Sequence, residues 1–346
     1  MNLVHDRFSA FAARERAENT VKEKVLLLLS GAEGFVSGQE LSEKLGISRT
    51  AVWKIVHSLQ EQGYEIEAVR NRGYRLISVP DILSAETVEA SARTRWAGRK
   101  VIYRDEVDST NDLAKQFAED GAEHGTLVMA DCQDAGKGRR GRGFSCPAGC
   151  GIWMSLIIRD RIEPANASML TLAAGLAVAQ GIEAVSGLKP QIKWPNDVIL
   201  DGKKVCGILT EMSLQMEGCV NYIVVGIGIN VNNEEFPEAI RDVAVSISME
   251  TGKPVSRVAL TGEVLRRFEG CYETFMRTQN LEELRAEYNG RLVNRGKEVR
   301  VLDPKAPWNG TAEGINERGE LLVRTADGIR HVSSGEVSVR GVYGYV

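Results

Sequence analysis

Glycines and cations alternate through Gly136-Lys137-Gly138-Arg139-Arg140-Gly141-Arg142-Gly143, and this mixture sets the first chemical possibility in the chain. Glycine lets a backbone bend freely and approach a ligand closely, while clustered cations can leave water only beside an anion. The spacing also fits G-x-G-x-x-G, so a dinucleotide cradle must be weighed. A strand over Thr126–Ala130 is expected before the loop. The β-rich stretch Gly151–Ile158 follows it, behind Pro147 and Gly149, so no helix N-terminus faces the glycines and the dinucleotide reading fails. The bland alternative is a solvated surface loop, which has no use for so many glycines.

A second constellation is Lys193-Trp194-Pro195-Asn196-Asp197. The proline pins a strand end, and Asn196 and Asp197 can hydrogen-bond a ligand or hold a hydrated Mg²⁺. Lys203 and Lys204 follow an Asp201-Gly202 turn, where they read either as an ordinary solvated hairpin or as a phosphate and carboxylate site. Gly226-Ile227-Gly228-Ile229-Asn230 ends an apolar strand with two glycines, which admits a flat ligand or another backbone.

The elements around these residues begin with a helix from Val21 to Leu29. Ser37 caps a second helix, Gly38–Leu45, with Glu40 placed to complete a capping box. Ser48 caps a third, from Arg49 to Gln62, with Val52, Ile55, Val56 and Leu59 as its buried stripe. Two strands, Tyr64–Val69 and Tyr74–Ile77, joined by Arg70-Asn71-Arg72-Gly73, make a wing. This is a winged helix-turn-helix, and Ser48, Arg49, Thr50, Lys54, His57, Arg70 and Arg72 are its DNA-contacting candidates. A fold used only for packing or protein contacts is the alternative.

Beyond a linker at Pro80–Ser84, strands and helices alternate. The turn Asp108–Asn111 is expected to cap a helix over Asp112–Asp120, and Met169–Ser186 reads as a core helix. Strands follow at Gln191–Trp194, Val198–Leu200, Cys206–Met212 and Tyr222–Ile229, then a long helix over Arg257–Asn280. Short strands past Arg291 suggest a small barrel. The domains expected are an arm at 1–20, the winged helix at 21–79, a catalytic domain at 80–290 and the barrel at 291–346.

With 346 residues, 43% hydrophobic, the chain can bury two or three cores. Its net charge of -4 offers no global field for nucleic acid, so DNA contact must be local. Asp6, Glu15 and Glu18 argue against a signal peptide, and the apolar run Val25–Leu29 is too short to cross a bilayer. Six cysteines without a secretory start suggest a reducing cytoplasm. Cys132, Cys146 and Cys150 lack the paired spacing of a metal knuckle and read as idle thiols.

Taken together and in this order, Ser109-Thr110-Asn111, Gln133 with the glycine-rich loop, Lys193–Asp197, Lys203–Leu209 and Gly226–Asn230 resemble the biotin-protein ligases. With the winged helix in front, the chain is similar to the bifunctional form that also represses biotin genes, over residues 20 to 346. The resemblance implies an α+β multidomain fold: a winged helix-turn-helix, a mixed-sheet α/β domain of the biotin/lipoate ligase, class II synthetase-like type, and an SH3-like barrel. It implies that Ser109, Thr110, Asn111 and Gln133 bind the biotin head group and that Gly226 and Gly228 flank its ureido ring. Lys137, Gly138 and Arg139 would close over the carboxylate and adenylate phosphate, and Lys204 would contact both. Trp194, Asn196, Asp197, Asn230 and Arg139 would face the nucleotide, with Asp197 near Mg²⁺. Arg139 and Lys204 would be catalytic.

The implied substrates are biotin and ATP with Mg²⁺, joined through biotinyl-5'-AMP without a covalent enzyme intermediate. The implied partners are a biotin carboxyl carrier domain, operator DNA and, when adenylate is bound, a second copy of the chain. Lys137 stands where some members carry arginine, which keeps the charge but loses the planar fork. A ligand-sensing factor without ligase activity and a lipoate ligase are the alternatives.

Overall fold

The computed structural model describes residues 21–334 and 338–341, except 23, 30, 33, 62, 79, 80, 217, 304 and 305. The arm at 1–20 lies outside them. The chain divides into two compact units, one ending at Asp81 and the other beginning at Ile82.

In the first unit, helical residues 21, 22 and 24–29 (α1) precede α2 (Gly38–Leu45) and α3 (Arg49–Glu61). Val25, Leu29, Leu41, Val52, Val56 and Leu59 bury one stripe from each helix against Ile66 of the wing. Ser37 accepts from Glu40 N at 3.0 Å, and Gly46 closes α2 in the left-handed region. The expected capping box is only half formed: the Glu40 carboxylate turns outward to Lys44, 2.8 Å away. The wing is an antiparallel pair, β1 (Glu65–Val69) and β2 (Gly73–Ser78). Gly73, at φ 109°, is required there, since a Cβ would lie 2.1 Å from Val36 O.

The second unit is built on a mixed seven-stranded sheet ordered β3-β4-β5-β9-β8-β7-β6. Its strands are β3 (Lys100–Val107), β4 (Thr126–Gln133), β5 (Gly151–Ile158), β6 (Gln191–Lys193), β7 (Asp197–Leu200), β8 (Lys203–Leu214) and β9 (Val220–Asn230). Only β3 and β4 run parallel. Alternation along β5 and β9 divides the faces. Ile152, Met154, Leu156, Ile223, Val225 and Ile227 enter the main core, while Ile157, Tyr222 and Val224 pack beneath α5 (Thr110–Glu119). Ser109 is the N-cap of α5, so Thr110 and Asn111 belong to its first turn rather than to a preceding turn as expected.

After α4 (Ala85–Ala92), the main core is completed by α6 (Met169–Ser186) and α8 (Arg257–Thr278), with the short α7 (Ile247–Thr251) between them. By length and composition the stretch Pro164–Ser186 could cross a membrane, although polar residues interrupt its apolar runs. Burial from Met169 to Ala179 without a break makes it a core helix. Helix α9 (Glu282–Arg291) was not foreseen: Tyr288 is its single buried residue, so it carries no apolar stripe to read.

The chain ends in an antiparallel sheet ordered β13-β12-β11-β10-β14, comprising β10 (Glu298–Leu302), β11 (Trp308–Ile315), β12 (Leu321–Thr325), β13 (Gly328–Val332) and β14 (Ser338–Gly341). Val299, Val301, Ala312, Leu321 and Val323 belong to the same hydrophobic cluster as α6. The sheet is thereby packed into the main core rather than hung on a linker.

Candidate functional site

A narrow cleft of about 50 Å³ opens on the α5 face of the large sheet, where the first turn of α5 meets the end of β4 and the middles of β8 and β9. Its polar wall is internally bonded. Gln133 Oε1 accepts from Thr110 N at 2.7 Å and from Thr110 Oγ1 at 3.0 Å. Ser155 on β5, missed in the sequence, donates toward Thr110 Oγ1 at 2.8 Å and Asn111 Oδ1 at 2.6 Å. Asn111 Nδ2 donates to Leu209 O at 3.2 Å and Glu211 Oε2 at 2.8 Å. Ser109 lines the same cleft and makes no side-chain cap bond.

The glycines supply a floor. A Cβ at Gly226 would lie 2.1 Å from Asn111 Oδ1, and one at Gly207 or Gly228 would lie 2.9 Å from the Phe144 ring. Side chains, not a second backbone, therefore occupy the space these glycines leave. Phe144 is another residue the sequence reading missed, because an aromatic after a basic loop has no periodicity to betray it.

The glycine-rich loop folds back on itself. Phe144 N donates to Gly136 O at 2.8 Å and Gly138 N to Arg142 O at 2.7 Å, around a short 3-10 turn in which Arg140 has φ 59°. Lys137 reaches Asp112. Arg139 Nη1 donates to Asn196 Oδ1 at 3.3 Å, and its Nη2 to the carbonyl of Ser334 after β13. Burial, then repulsion from Arg140, lowers the Arg139 pKa, with Asp197 pulling the other way.

A larger cavity of about 490 Å³ adjoins the cleft, and Gly138, Arg139, Phe144, Asn196 and Lys204 line both. Lys204 Nζ lies 2.6 Å from Asp197 Oδ1. Asn196 Nδ2 donates to Ile208 O at 3.1 Å. Trp194 and Asn230 also line the larger cavity, but their polar atoms are engaged elsewhere: Trp194 Nε1 with Gly319 O at 3.0 Å, and Asn230 Nδ2 with Val245 O at 3.2 Å. Two cations thus stand where a small polar cleft meets a larger cavity, an arrangement suited to an anion bridging them.

Cys132, Cys146 and Cys150 are not poised as thiolates. Burial pushes the Cys146 thiol up to about 12, with its sulfur 2.8 Å from Gln133 Nε2, and burial also raises Cys132 and Cys150. Among the described residues no three His, Cys, Asp or Glu side chains gather to hold a metal.

In the first unit, a groove runs between Arg49, Thr50 and Trp53 of α3 and Arg70 and Arg72 of the wing. Ser48 Oγ accepts from Ala51 N at 3.2 Å, leaving Arg49, Thr50, Lys54 and His57 exposed. Lys54 and His57 do not line the groove. Trp53, 56% exposed and stacked on His57 at 5.4 Å, was not foreseen; its signal is an aromatic lying off the buried stripe. Arg72 packs over the Phe35 ring at 4.6 Å.

Comparison with known proteins follows this division. Residues 102–230 match the biotin/lipoate A/B protein ligase family, 21–75 an HTH domain and 296–340 the biotin protein ligase C terminal domain. The bifunctional ligase/repressor of Bacillus spizizenii is 40% identical over 93% of this chain and 99% of its own length, and that of Escherichia coli 30% identical over 93% and 98%. The biotin protein ligase of Aquifex aeolicus, solved with biotin and ATP, covers 70% of this chain and 99% of its own at 32% identity and TM-score 0.62. With a ligase cleft in one unit, a basic helix-and-wing groove in the other and both spanned by such relatives, the chain belongs to the family of bifunctional biotin ligase/repressors.

Proposed function

We propose that this protein forms biotinyl-5'-AMP from biotin and ATP, transfers the biotinyl group to a lysine of a biotin carboxyl carrier domain, and represses biotin genes in response to that adenylate. The observation that carries the ligase reading is the placement of Arg139 and Lys204 where the two cavities meet. Ser109, Thr110, Asn111 and Gln133 hold the ureido head group over the Gly226–Gly228 floor, and Lys137 and Gly138 cover the valeryl chain and carboxylate. Trp194, Asn196, Asp197 and Asn230 border the nucleotide.

The biotin carboxylate attacks the α-phosphorus, pyrophosphate leaves, and Arg139 and Lys204 stabilise the negative charge that grows on the equatorial oxygens. Asp197 holds Lys204 in place by their ion pair. The glycine-rich loop acts as a moving cover that shields the mixed anhydride until the carrier amine attacks its carbonyl. No side chain of the protein needs to become acylated. Mg²⁺ enters as part of MgATP: Asp197 is the carboxylate bordering the larger cavity and is already paired with Lys204, which suits an ion carried by phosphate oxygens better than a protein cage.

For repression, α3 enters the major groove and Arg70 and Arg72 of the wing grip phosphates. Adenylate binding orders a homodimer whose two winged helices reach two half-sites. The six cysteines are free thiols, in keeping with a reducing cytoplasm.

Incubation with ATP, labelled biotin or lipoate, and a biotin carrier domain tests the ligase. Biotin label on the carrier is expected, and label from lipoate alone, or none, overturns the reading. A gel-shift assay on a palindromic biotin-operator duplex, with and without biotin and ATP, tests the repressor. Absence of a salt-sensitive specific complex with both ligands would refute it.

A further inference from the structure

Three charged side chains outside the assigned ligand contacts, Asp112, Lys115 and Glu211, join the assigned Lys137 in a continuous chain across the head-group end of the cleft. Lys137 of the glycine-rich loop pairs with Asp112 in the first turn of α5. Asp112 pairs with Lys115 at 2.9 Å, and Lys115 with Glu211 Oε1 of β8 at 3.0 Å. The other oxygen, Glu211 Oε2, accepts from Asn111 Nδ2 at 2.8 Å. The signs alternate, so the array is neutral as a whole and each interior member serves two neighbours.

Two consequences follow from this geometry. Glu211 and Leu209 O together engage both amide hydrogens of Asn111, which turns Asn111 Oδ1 toward Ser155 Oγ and the Gly226 floor. With both amide hydrogens engaged, Asn111 has only its carbonyl oxygen, already accepting from Ser155, to offer on the cleft side, and the matching ligand atom is a donor such as a ureido N–H. At the other end, Asp112 tethers the loop through Lys137 only one residue from Asn111. Although burial pushes the other way, the ammonium groups of Lys137 and Lys115 hold the Asp112 carboxyl below its ordinary value.

We propose that Asp112, Lys115 and Glu211 are positioning residues of the ligase: through Glu211 they set the polarity of Asn111 toward the ligand, and through Asp112 they dock the glycine-rich loop over it. Head-group reading and loop docking are then settled by one array. This rests on the ligase reading. Asp112, Lys115 and Glu211 are about one-third exposed and Lys137 about half, so a single exposed pair would contribute little; the case for an effect is the shared network and its contact with a buried amide.

The test uses the full chain with biotin and ATP, and reads the biotin KM, the adenylation kcat and the rate at which biotinyl-5'-AMP leaves the protein. Asp112→Asn and Lys137→Met are each expected to speed adenylate release about fivefold, and the double variant no more than either alone, as for partners in one interaction. Asp112→Glu should restore slow release. Glu211→Gln is expected to raise biotin KM about tenfold with little change in kcat, because an Asn111 free to turn loses ground-state recognition. Wild-type release rates and KM in Asp112→Asn and Glu211→Gln, or multiplying effects in the double variant, overturn the proposal while leaving the ligase reading intact. If the wild-type protein makes no adenylate, both fall together.

Discussion

The ligand cleft and the helix-and-wing groove use similar polar residue types in opposite ways. In the cleft, Ser109, Thr110 and Asn111 are 3%, 4% and 5% exposed, and a web of bonds within the protein holds the wall in one arrangement. Along the groove, Arg49, Thr50, Arg70 and Arg72 are exposed, held by the backbone beneath them more than by one another. Buried polar groups must be satisfied internally, so the cleft is preorganised at the cost of tolerance to change. Exposed cations stay hydrated until phosphates replace water and counterions, so the groove can lose a member and still bind.

The sharpest way to break this contrast is at Arg139 and Lys204. Arg139→Gly or Lys204→Ala should lower adenylation by about 10²- to 10³-fold, measured by pyrophosphate release, because donors to developing charge act mainly in the transition state. Gly226→Ala comes next: its Cβ would meet an Asn111 pinned on both sides, and biotin KM should rise more than about tenfold by isothermal titration or initial rates. If it binds biotin normally, the cleft is softer than its bonding implies.

Smaller effects are expected from the groove. Trp53→Ala should weaken binding to a selected duplex about tenfold while leaving binding to random DNA and the salt slope nearly unchanged, as a base contact would. Arg49→Ala should instead lower the salt slope by about one and weaken all sequences alike. Equal losses from both variants would erase the distinction between reading and gripping.

The smallest effect should come from pH. The Asp112 carboxyl is held below its ordinary value of about 3.9, so its contribution to the cleft is fully present above that pH and is lost as pH falls through the lowered value. Adenylate release should stay flat from pH 8 to about 5 and rise a few-fold only at stronger acidity, provided the chain is still folded by circular dichroism.

Much of this was legible before any coordinates. Helix α3 announces itself through Val52, Val56 and Leu59, and β10 through its alternation, since periodic burial writes itself into residue type. The half-formed capping box at Glu40 was not legible, because an exposed carboxylate can choose a neighbouring ammonium over a backbone N–H. Ser155 and Phe144 were also hidden: Phe144 lines the cleft and Ser155 braces its wall from behind only when the loop and β5 are laid beside β8 and β9.

The glycine-rich loop and the lysine hairpin already named an anion, because charge and glycine content are properties of residues alone. Between which walls that anion would sit required the sheet. Arg139 meets Asn196 fifty-seven positions away and reaches the carbonyl of Ser334 beyond β13, and Lys137 is joined to Glu211 through Asp112 and Lys115. Such pairings depend on strand order and register, which fold distant segments into contact and leave no mark on the local sequence of either partner.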